Sequence, residues 1–337
     1  MRKGQIAVLQ QFFQFVLLLE MLALLLLLCS LTGQLSSLLV VSLLIGMAAT
    51  MAQDIVPAAA ILAPAGKQGK MVGTVMTGLL LGILLSRTVS GVVGAVFGWR
   101  VMYQAAAVSV ALIGLVMWRV LPRFAVHSTL SYPQLMASMA HLWQRYPALR
   151  RAALAQGALS IAFSAFWSTL AVMLSEHYHM GSAVAGGFGI AGAAGALAAP
   201  LAGGLADKFG AGKVTQMGAA LVTLSFALMF MLPLPVHAQL ALIALSAIGF
   251  DLGLQSSLVA HQNLVYGLEP QARGRLNALL FTVVFIGMSL GSVLGSKLYV
   301  LAGWNGVVTL AVITGALALA IRLLENARIL AAERSAS

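Results

Sequence analysis

The chain has 337 residues, of which 61% are hydrophobic and 8% are charged. This charged share is about a third of that in ordinary soluble domains, so the composition excludes a soluble fold with a conventional charged surface. The formal net charge of +11 would suggest nucleic-acid binding in a soluble protein, whereas in a membrane protein the positions of the cations decide its meaning.

Ten apolar stretches are each long enough to cross the hydrocarbon core of a bilayer, which takes about 20 apolar residues per helix. They cover residues 6–31, 35–62, 71–97, 101–121, 152–174, 183–206, 214–234, 236–258, 276–301 and 304–324. The first is too long for a signal-peptide core and ends without a cleavage pattern, so we predict a retained span. Leucine runs such as residues 24–28 lack the alternation of barrel strands. The predicted fold class is an all-α membrane protein with about ten transmembrane helices.

The basic residues follow the positive-inside rule if the N-terminus is cytoplasmic and the spans alternate in direction. Of the 19 Lys and Arg residues, all but Arg87, Arg100 and Lys297 then fall on the cytoplasmic side or its edge. The charge therefore reports topology and not a nucleic-acid partner. It predicts a multi-pass protein of the bacterial inner membrane with both termini in the cytoplasm.

The longest hydrophilic connection divides four spans from six. We predict an incomplete four-span bundle over 1–121, a cytoplasmic linker over 122–151, a six-span bundle over 152–324 and a cytoplasmic tail over 325–337. Within the linker, Leu135, Met139 and Leu142 recur at helical spacing. This pattern predicts a helix that lies on the membrane surface.

An internal repeat at an offset of 205 residues relates residues 69–100 to residues 274–305. Each copy opens with a glycine followed by a basic residue, crosses an apolar stretch and closes with Gly-Trp, at Gly98-Trp99 and Gly303-Trp304. The repeat predicts two related halves, each a unit of six helices running in the same order. Relative to that arrangement, we expect the first half to lack two helices at its N-terminus.

Two motifs give the chain its resemblance to a known family. The loop over residues 203–210 resembles the cytoplasmic GxLaDrxGrr motif of the major facilitator superfamily, and its bacterial drug-efflux-like branch in particular. The span over 71–97 resembles the antiporter motif GxxxGPxxGG, with Arg87 in place of its proline, and the repeat places a closer copy in the span over 276–301. The residues that match these motifs are Gly82, Ser86, Ser90, Gly91, Gly203, Asp207, Lys208, Gly210, Gly287, Gly291 and Gly295.

The resemblance covers nearly the whole chain and also includes the stretch from Asp251 to Gln255. It implies a major facilitator-like parallel repeat of helical bundles, arranged here as four plus six helices. The expected activity is secondary transport, with a small-molecule substrate, protons and the lipid bilayer as partners and with no cofactor. The protein is expected to be a monomer.

Ionisable side chains inside the membrane cost about 3 kcal/mol on insertion scales, so they usually face a cavity or a partner. Four such residues lie within predicted spans: Glu20, Asp54, Arg87 and Asp251. Gln255 follows Asp251 by four residues and shares its helical face, which favours a carboxyl-amide pair that carries protons or contacts substrate. The alternative is a structural aspartate that hydrogen-bonds near a helix kink.

The roles of the other three charges are less constrained by the sequence. Arg87 is expected to bind a polar substrate or to act as counterion to a carboxylate such as Asp54, which lies near the cytoplasmic end of its span. Glu20 either serves the transport pathway or packs against a neighbouring helix as a protonated carboxyl.

The pattern of these residues favours proton-coupled efflux of a small organic solute. The competing hypothesis is a truncated or decayed transporter derivative that inserts in the membrane without transporting. An enzyme is not expected, because no nucleophile and base or metal cluster is apparent in the spans. A GxGxxG spacing at Gly187, Gly189 and Gly192 lies within a span, so helix packing explains it better than dinucleotide binding.

Overall fold

The computed structural model describes residues 3–50, 68–120, 132–196, 208–230 and 234–336. This part of the chain contains ten α-helices and no strand. They are α1 (Lys3–Leu31), α2 (Leu35–Ala49), α3 (Gln68–Phe97), α4 (Trp99–Val120), α5 (Tyr132–Arg145), α6 (Pro147–Tyr178), α7 (Ser182–Ala196), α8 (Ala211–Ala227), α9 (Val236–Tyr266) and α10 (Arg273–Ala336). The predicted all-α fold class is confirmed.

Four of the described helices are long and apolar enough to cross a membrane, namely α4, α6, α9 and α10 over Arg273–Ala327. Shorter apolar helical segments cover Val16–Leu31, Leu35–Ala49, Leu81–Phe97 and Ser182–Gly192. Several helices extend beyond the predicted spans. Helix α6 continues past the predicted span to Tyr178, because its backbone hydrogen bonds persist beyond the apolar stretch. It ends where His179 adopts φ 54°.

The predicted internal repeat has a structural counterpart at its Gly-Trp ends. Gly98 has φ 84° and separates α3 from α4, while Gly303 has φ 61° and breaks α10 into the segments α10a (273–302) and α10b (304–336). A positive φ is unfavourable for residues with a Cβ, so glycine is strongly favoured at both positions. The two copies therefore share the same helix–glycine–helix junction.

The chain divides into two compact units, Met1–Thr129 and Leu130–Ser337. In the first unit, α4 packs against α1 and α3, and α1 also packs against α2. In the second unit, α6 packs extensively against α10, and α9 packs against α6, α7 and α8.

The contact between α6 and α10a depends on small residues at four-residue spacing. Gly287 lies against Gly157, Gly291 against Ile161 and Gly295 against Ala165. A Cβ on Gly295 would lie 2.8 Å from the Cα of Ala165, closer than real side chains approach. Because both series advance in the same direction, the two helices run parallel with their backbones in close contact.

The core of the second unit is aromatic. Phe166 of α6 lies at its centre, with ring centroids 5.0 Å from Trp167, 4.9 Å from Phe250 and 5.7 Å from Trp304. The indole nitrogen of Trp304 donates to the backbone oxygen of Met229 at 2.9 Å. Edge-to-face rings of this kind add about 1 kcal/mol per pair beyond the burial of their area.

Helix α5 lies in the second unit and packs against the start of α6. Leu142 is buried beside Leu149 and Leu276, and the Tyr146 hydroxyl donates to Glu269 Oε2 at 2.9 Å. The hydrogen bond to Glu269 is the main cause that raises the pKa of Tyr146 above 10.0, and burial is the second. The corner between α5 and α6 is thereby attached to the connection that precedes α10.

Replacing Tyr146 by phenylalanine is expected to remove a stabilising contact that depends on pH. Because the pKa of Tyr146 is higher in the folded protein, the contact stabilises the fold below pH 10 and is lost as the phenol ionises. The fall in Tm between pH 7 and pH 11, measured by thermal unfolding in detergent, should be larger for wild type than for Y146F. Y132F, at an exposed position of α5, is the control, and equal losses in wild type and Y146F would contradict the prediction.

Candidate substrate and proton site

Asp251 lies in the interior of the second unit, where α6, α7 and α9 meet. Only 4% of its surface is exposed. Its carboxylate occupies the space above Gly192 of α7, and a Cβ on Gly192 would also lie 2.8 Å from the ring of Trp167 on α6. Gln255, one turn further along α9, is half-buried. The sequence-predicted pair is therefore held on one helix, with the carboxyl buried between three helices.

The close crossing of α8 and α9 fixes the position of this part of α9. A Cβ on Gly218 would lie 2.6 Å from the backbone oxygen of Gly253, and a Cβ on Gly253 would lie 2.6 Å from that of Gly218. Any larger side chain at these glycines would push the helices apart. Because Gly253 is two residues beyond Asp251, this contact also limits where the carboxyl group can move.

A second polar group, which the sequence analysis missed, lies further along α9. Nδ1 of His261 lies 2.9 Å from Gln156 Oε1 and 3.3 Å from Ser257 Oγ. The amide nitrogen of Gln156 lies 3.4 Å from the backbone oxygen of Leu254. His261 and Ser257 are fully buried and Gln156 nearly so. Nε2 of His261 has no hydrogen-bond partner within the described part of the chain.

A buried ionic cluster joins α6, α8 and α10b. Glu325 Oε1 lies 3.2 Å from Arg151 Nε, and its other oxygen pairs with Arg322. Arg322 Nε donates to Thr215 Oγ1 at 3.0 Å, and Gln216 donates to the Arg322 carbonyl at 3.3 Å. Arg322 and Glu325 are about 5% exposed, so this cluster is part of the interior. The sequence does contain a signal for this cluster, because Arg322 and Glu325 lie three positions apart at the end of an apolar stretch.

In the first unit, the structure places Glu20 of α1 against α4. The carboxyl of Glu20 lies over Gly114, at the position that a Cβ would occupy. This contact agrees with the packing alternative for Glu20. Arg87 is half-buried on α3, while Asp54 lies outside the described residues, so an ion pair between them stays a prediction.

The motif residues divide into packed and exposed sets. Gly82 and Ser86 of α3 are exposed, and a Cβ on Gly82 would meet no described atom within 4 Å. Ser90 donates to the Arg87 carbonyl at 3.1 Å, and Gly91 is buried. Gly287, Gly291 and Gly295 of α10a, by contrast, all lie against α6.

The loop motif over residues 203–210 is described only at its end. Gly203 and Asp207 lie outside the described residues. The ammonium of exposed Lys208 lies 5.4 Å from the centroid of the Phe209 ring. Gly210 has φ 83° at the start of α8, a conformation that favours glycine. Among the described residues, no three His, Cys, Asp or Glu side chains are grouped closely enough to hold a metal ion.

The family model of the Major Facilitator Superfamily matches residues 11–265. This match covers more than half of the chain and both sides of the central connection. The chain belongs to the major facilitator superfamily. Membership accounts for the helical fold.

Relatives in this superfamily are themselves described as transporters. The chain is 36% identical over 270 residues to the uncharacterized transporter YgaY of Escherichia coli O157:H7, a match covering 78% of this chain and 66% of YgaY. It is 34% identical over 264 residues to the probable transporter SCO4007 of Streptomyces coelicolor, covering 77% of this chain and 60% of that protein. The matches thus span less than two thirds of the length of these relatives.

Solved structures of the superfamily share the fold at low sequence identity. A bacterial homolog of the human lysosomal transporter Spinster has a TM-score of 0.65 and 16% identity, with coverage of 94% of this chain and 85% of that chain. The nucleoside transporter NupG, as a mutant, has a TM-score of 0.70 and 15% identity, with coverage of 94% and 83%. These similarities support the major facilitator-like fold.

Proposed function

We propose that the protein is a proton-coupled secondary transporter that exports a small organic solute across the bacterial inner membrane. The observation that carries this proposal is Asp251, a carboxyl buried where α6, α7 and α9 meet. A carboxyl in a membrane interior is costly, so its retention favours a functional role. Its carboxylate can take up a proton and become neutral, which burial favours, and the acid can release that proton when water or a cation becomes accessible.

The surroundings of Asp251 suit an alternating proton site. Gly192 leaves room for the carboxylate beside α7, and the Trp167 ring lies against the same glycine on the side of α6. Gln255 provides an amide one turn away that can contact the solute or the carboxyl. The proposal includes a monomer. Its termini are proposed to be cytoplasmic, because the basic residues lie predominantly on that side of the predicted topology.

A second candidate is a chain that inserts in the membrane without transporting. The exposed surface of α3 at Gly82 favours it, because the repeat-equivalent Gly287 packs tightly against Gly157 of α6. Within the described ranges, no atom lies within 4 Å of a Cβ at Gly82, so no described helix covers the small-residue face of α3 there.

Transport by inverted membrane vesicles separates the two candidates. The assay uses ethidium as a cationic probe and chloramphenicol as a neutral probe, with respiration acidifying the vesicle interior. We expect at least one probe to accumulate only while the pH gradient lasts and to be released by nigericin. Vesicles that contain the inserted protein but accumulate neither probe above the empty-vector level would favour the inactive derivative.

A further inference from the structure

The hydrogen bonds of His261 determine which of its ring nitrogens carries a proton. The Gln156 amide nitrogen faces the carbonyl of Leu254 at 3.4 Å, so Oε1 of Gln156 is the atom that faces His261. Because Oε1 can only accept, Nδ1 of His261 donates to it across 2.9 Å. In the neutral ring, Nε2 is therefore an acceptor with a free lone pair.

The environment of Nε2 is closed to bulk water. His261 has 0% exposure, and no donor reaches Nε2 among the residues that the structure describes. A buried acceptor without a donor is unfavourable, and such groups in native proteins usually have a water, an ion or a functional role to account for them. His261 lies ten residues from Asp251, which corresponds to ~15 Å along α9.

The charge that acts on the ring comes from a helix that packs against α9. Arg322 of α10 acts electrostatically on His261, and this guanidinium belongs to the ionic cluster with Glu325 of α10 and Arg151 of α6. Helix α8 contributes the hydroxyl of Thr215, and the described part of α7 has no titratable side chain. Two guanidinium groups share one carboxylate, so positive charge is in excess. A protonated imidazole beside them is disfavoured by repulsion unless Arg322 moves away.

We propose that Nε2 of His261 is a second proton-binding site, and that separation of Arg322 from the ring allows it to be occupied. This inference rests on the proposed function, since it adds a proton site to a proton-coupled transporter. In the binding step, a hydronium ion transfers a proton to the Nε2 lone pair and leaves as water. The resulting imidazolium keeps its Nδ1 hydrogen bond to Gln156, and the reverse transfer to water restores the neutral ring.

The Arg322–Glu325–Arg151 cluster then links proton binding to helix position. Arg322 is carried by α10b, and the ionic cluster connects this segment with α6. When the cluster is closed, the positive charge near His261 opposes protonation. When α10b shifts and takes Arg322 with it, protonation becomes favourable, so the proton stabilises the shifted arrangement.

Nitrogen NMR of the histidine rings in the micelle-solubilised full chain tests the inference directly. The chain has six histidines, and His261→Gln identifies the signal of His261. We expect Arg322→Gln to let this ring take up a proton at a pH about one unit or more above wild type. Glu325→Gln should lower the pH at which His261 takes up a proton, because it removes the negative charge beside Arg322 while Thr215 still accepts from that guanidinium. His237→Gln, at an exposed position of α9, should leave the His261 signal unchanged.

Two results would overturn the inference. One is proton uptake by His261 at the same pH in wild type, Arg322→Gln and Glu325→Gln; if Arg322→Gln does not fold, Glu325→Gln alone decides. The other is an ethidium transport rate with the same pH profile in His261→Gln and wild type. Absence of transport with the expected NMR shifts would instead contradict the proposed function and leave the proton site intact.

Discussion

Replacing Gly291 by leucine is expected to destabilise the second unit strongly, whereas the same change at the repeat-equivalent Ser86 or at the nearby Gly82 is tolerated. A side chain on Gly291 would overlap the backbone carbonyl of Ile161, and a backbone atom cannot turn aside as a side chain can. The helices must separate, which costs about 3 kcal/mol. For a unit of this size, that loss lowers the Tm by about 10 °C.

The difference in Tm is measured by thermal unfolding in detergent, monitored by fluorescence-detected size-exclusion chromatography. Gly82→Leu is the matched control, since it introduces the same side chain into the same motif on α3, where a Cβ would meet nothing within 4 Å. We expect its Tm to stay within about 2 °C of wild type, as for most exposed substitutions. Equal losses of Tm in the two variants would contradict the close packing of α6 and α10a.

Replacing Asp251 by asparagine is expected to reduce transport driven by the pH gradient to the background of empty vesicles. Asparagine has nearly the same shape but does not ionise, so it can neither take up nor release a proton. Folding should be preserved because a neutral amide is less costly in the membrane interior than a carboxylate. Asp251→Glu should retain part of the activity.

The assay for Asp251 is ethidium accumulation in inverted vesicles at matched levels of inserted protein. Glu176→Gln is the control variant, because Glu176 is an exposed carboxylate at the end of α6 that contacts Tyr299. We expect it to transport at the wild-type rate. Unchanged accumulation in Asp251→Asn would show that another group carries the proton and would leave Asp251 with the structural role weighed from the sequence.

The sequence was sufficient to predict the parts of the fold that depend on local chemistry. Apolar length located the helices, and the Gly-Trp repeat located the junctions at Gly98 and Gly303, because a positive φ favours glycine at each. Exact helix ends were less predictable. Helix α9 extends to Tyr266, whereas its apolar stretch ends at residue 258, since a helix can continue into the polar region beyond the hydrocarbon core.

The contacts of the candidate site could be predicted only in part. The apolar span around Asp251 made a buried carboxyl expected, and the structure places it at 4% exposure. The contact between His261 and Gln156 joins residues 105 positions apart, and no spacing rule relates them. The ion pair between Arg151 and Glu325 joins residues that are even further apart in sequence, and Glu325 was expected in the cytoplasmic tail. Such contacts depend on how the helices pack.

Proton movement in proteoliposomes tests the central claim most directly. Purified protein is reconstituted with pyranine inside the vesicles, potassium and valinomycin hold the membrane potential at zero, and an ethidium gradient is applied. We predict that ethidium flux through the protein changes the internal pH in the direction of proton exchange, and that Asp251→Asn abolishes this change. Ethidium flux above that of protein-free vesicles without any change of internal pH would contradict proton coupling.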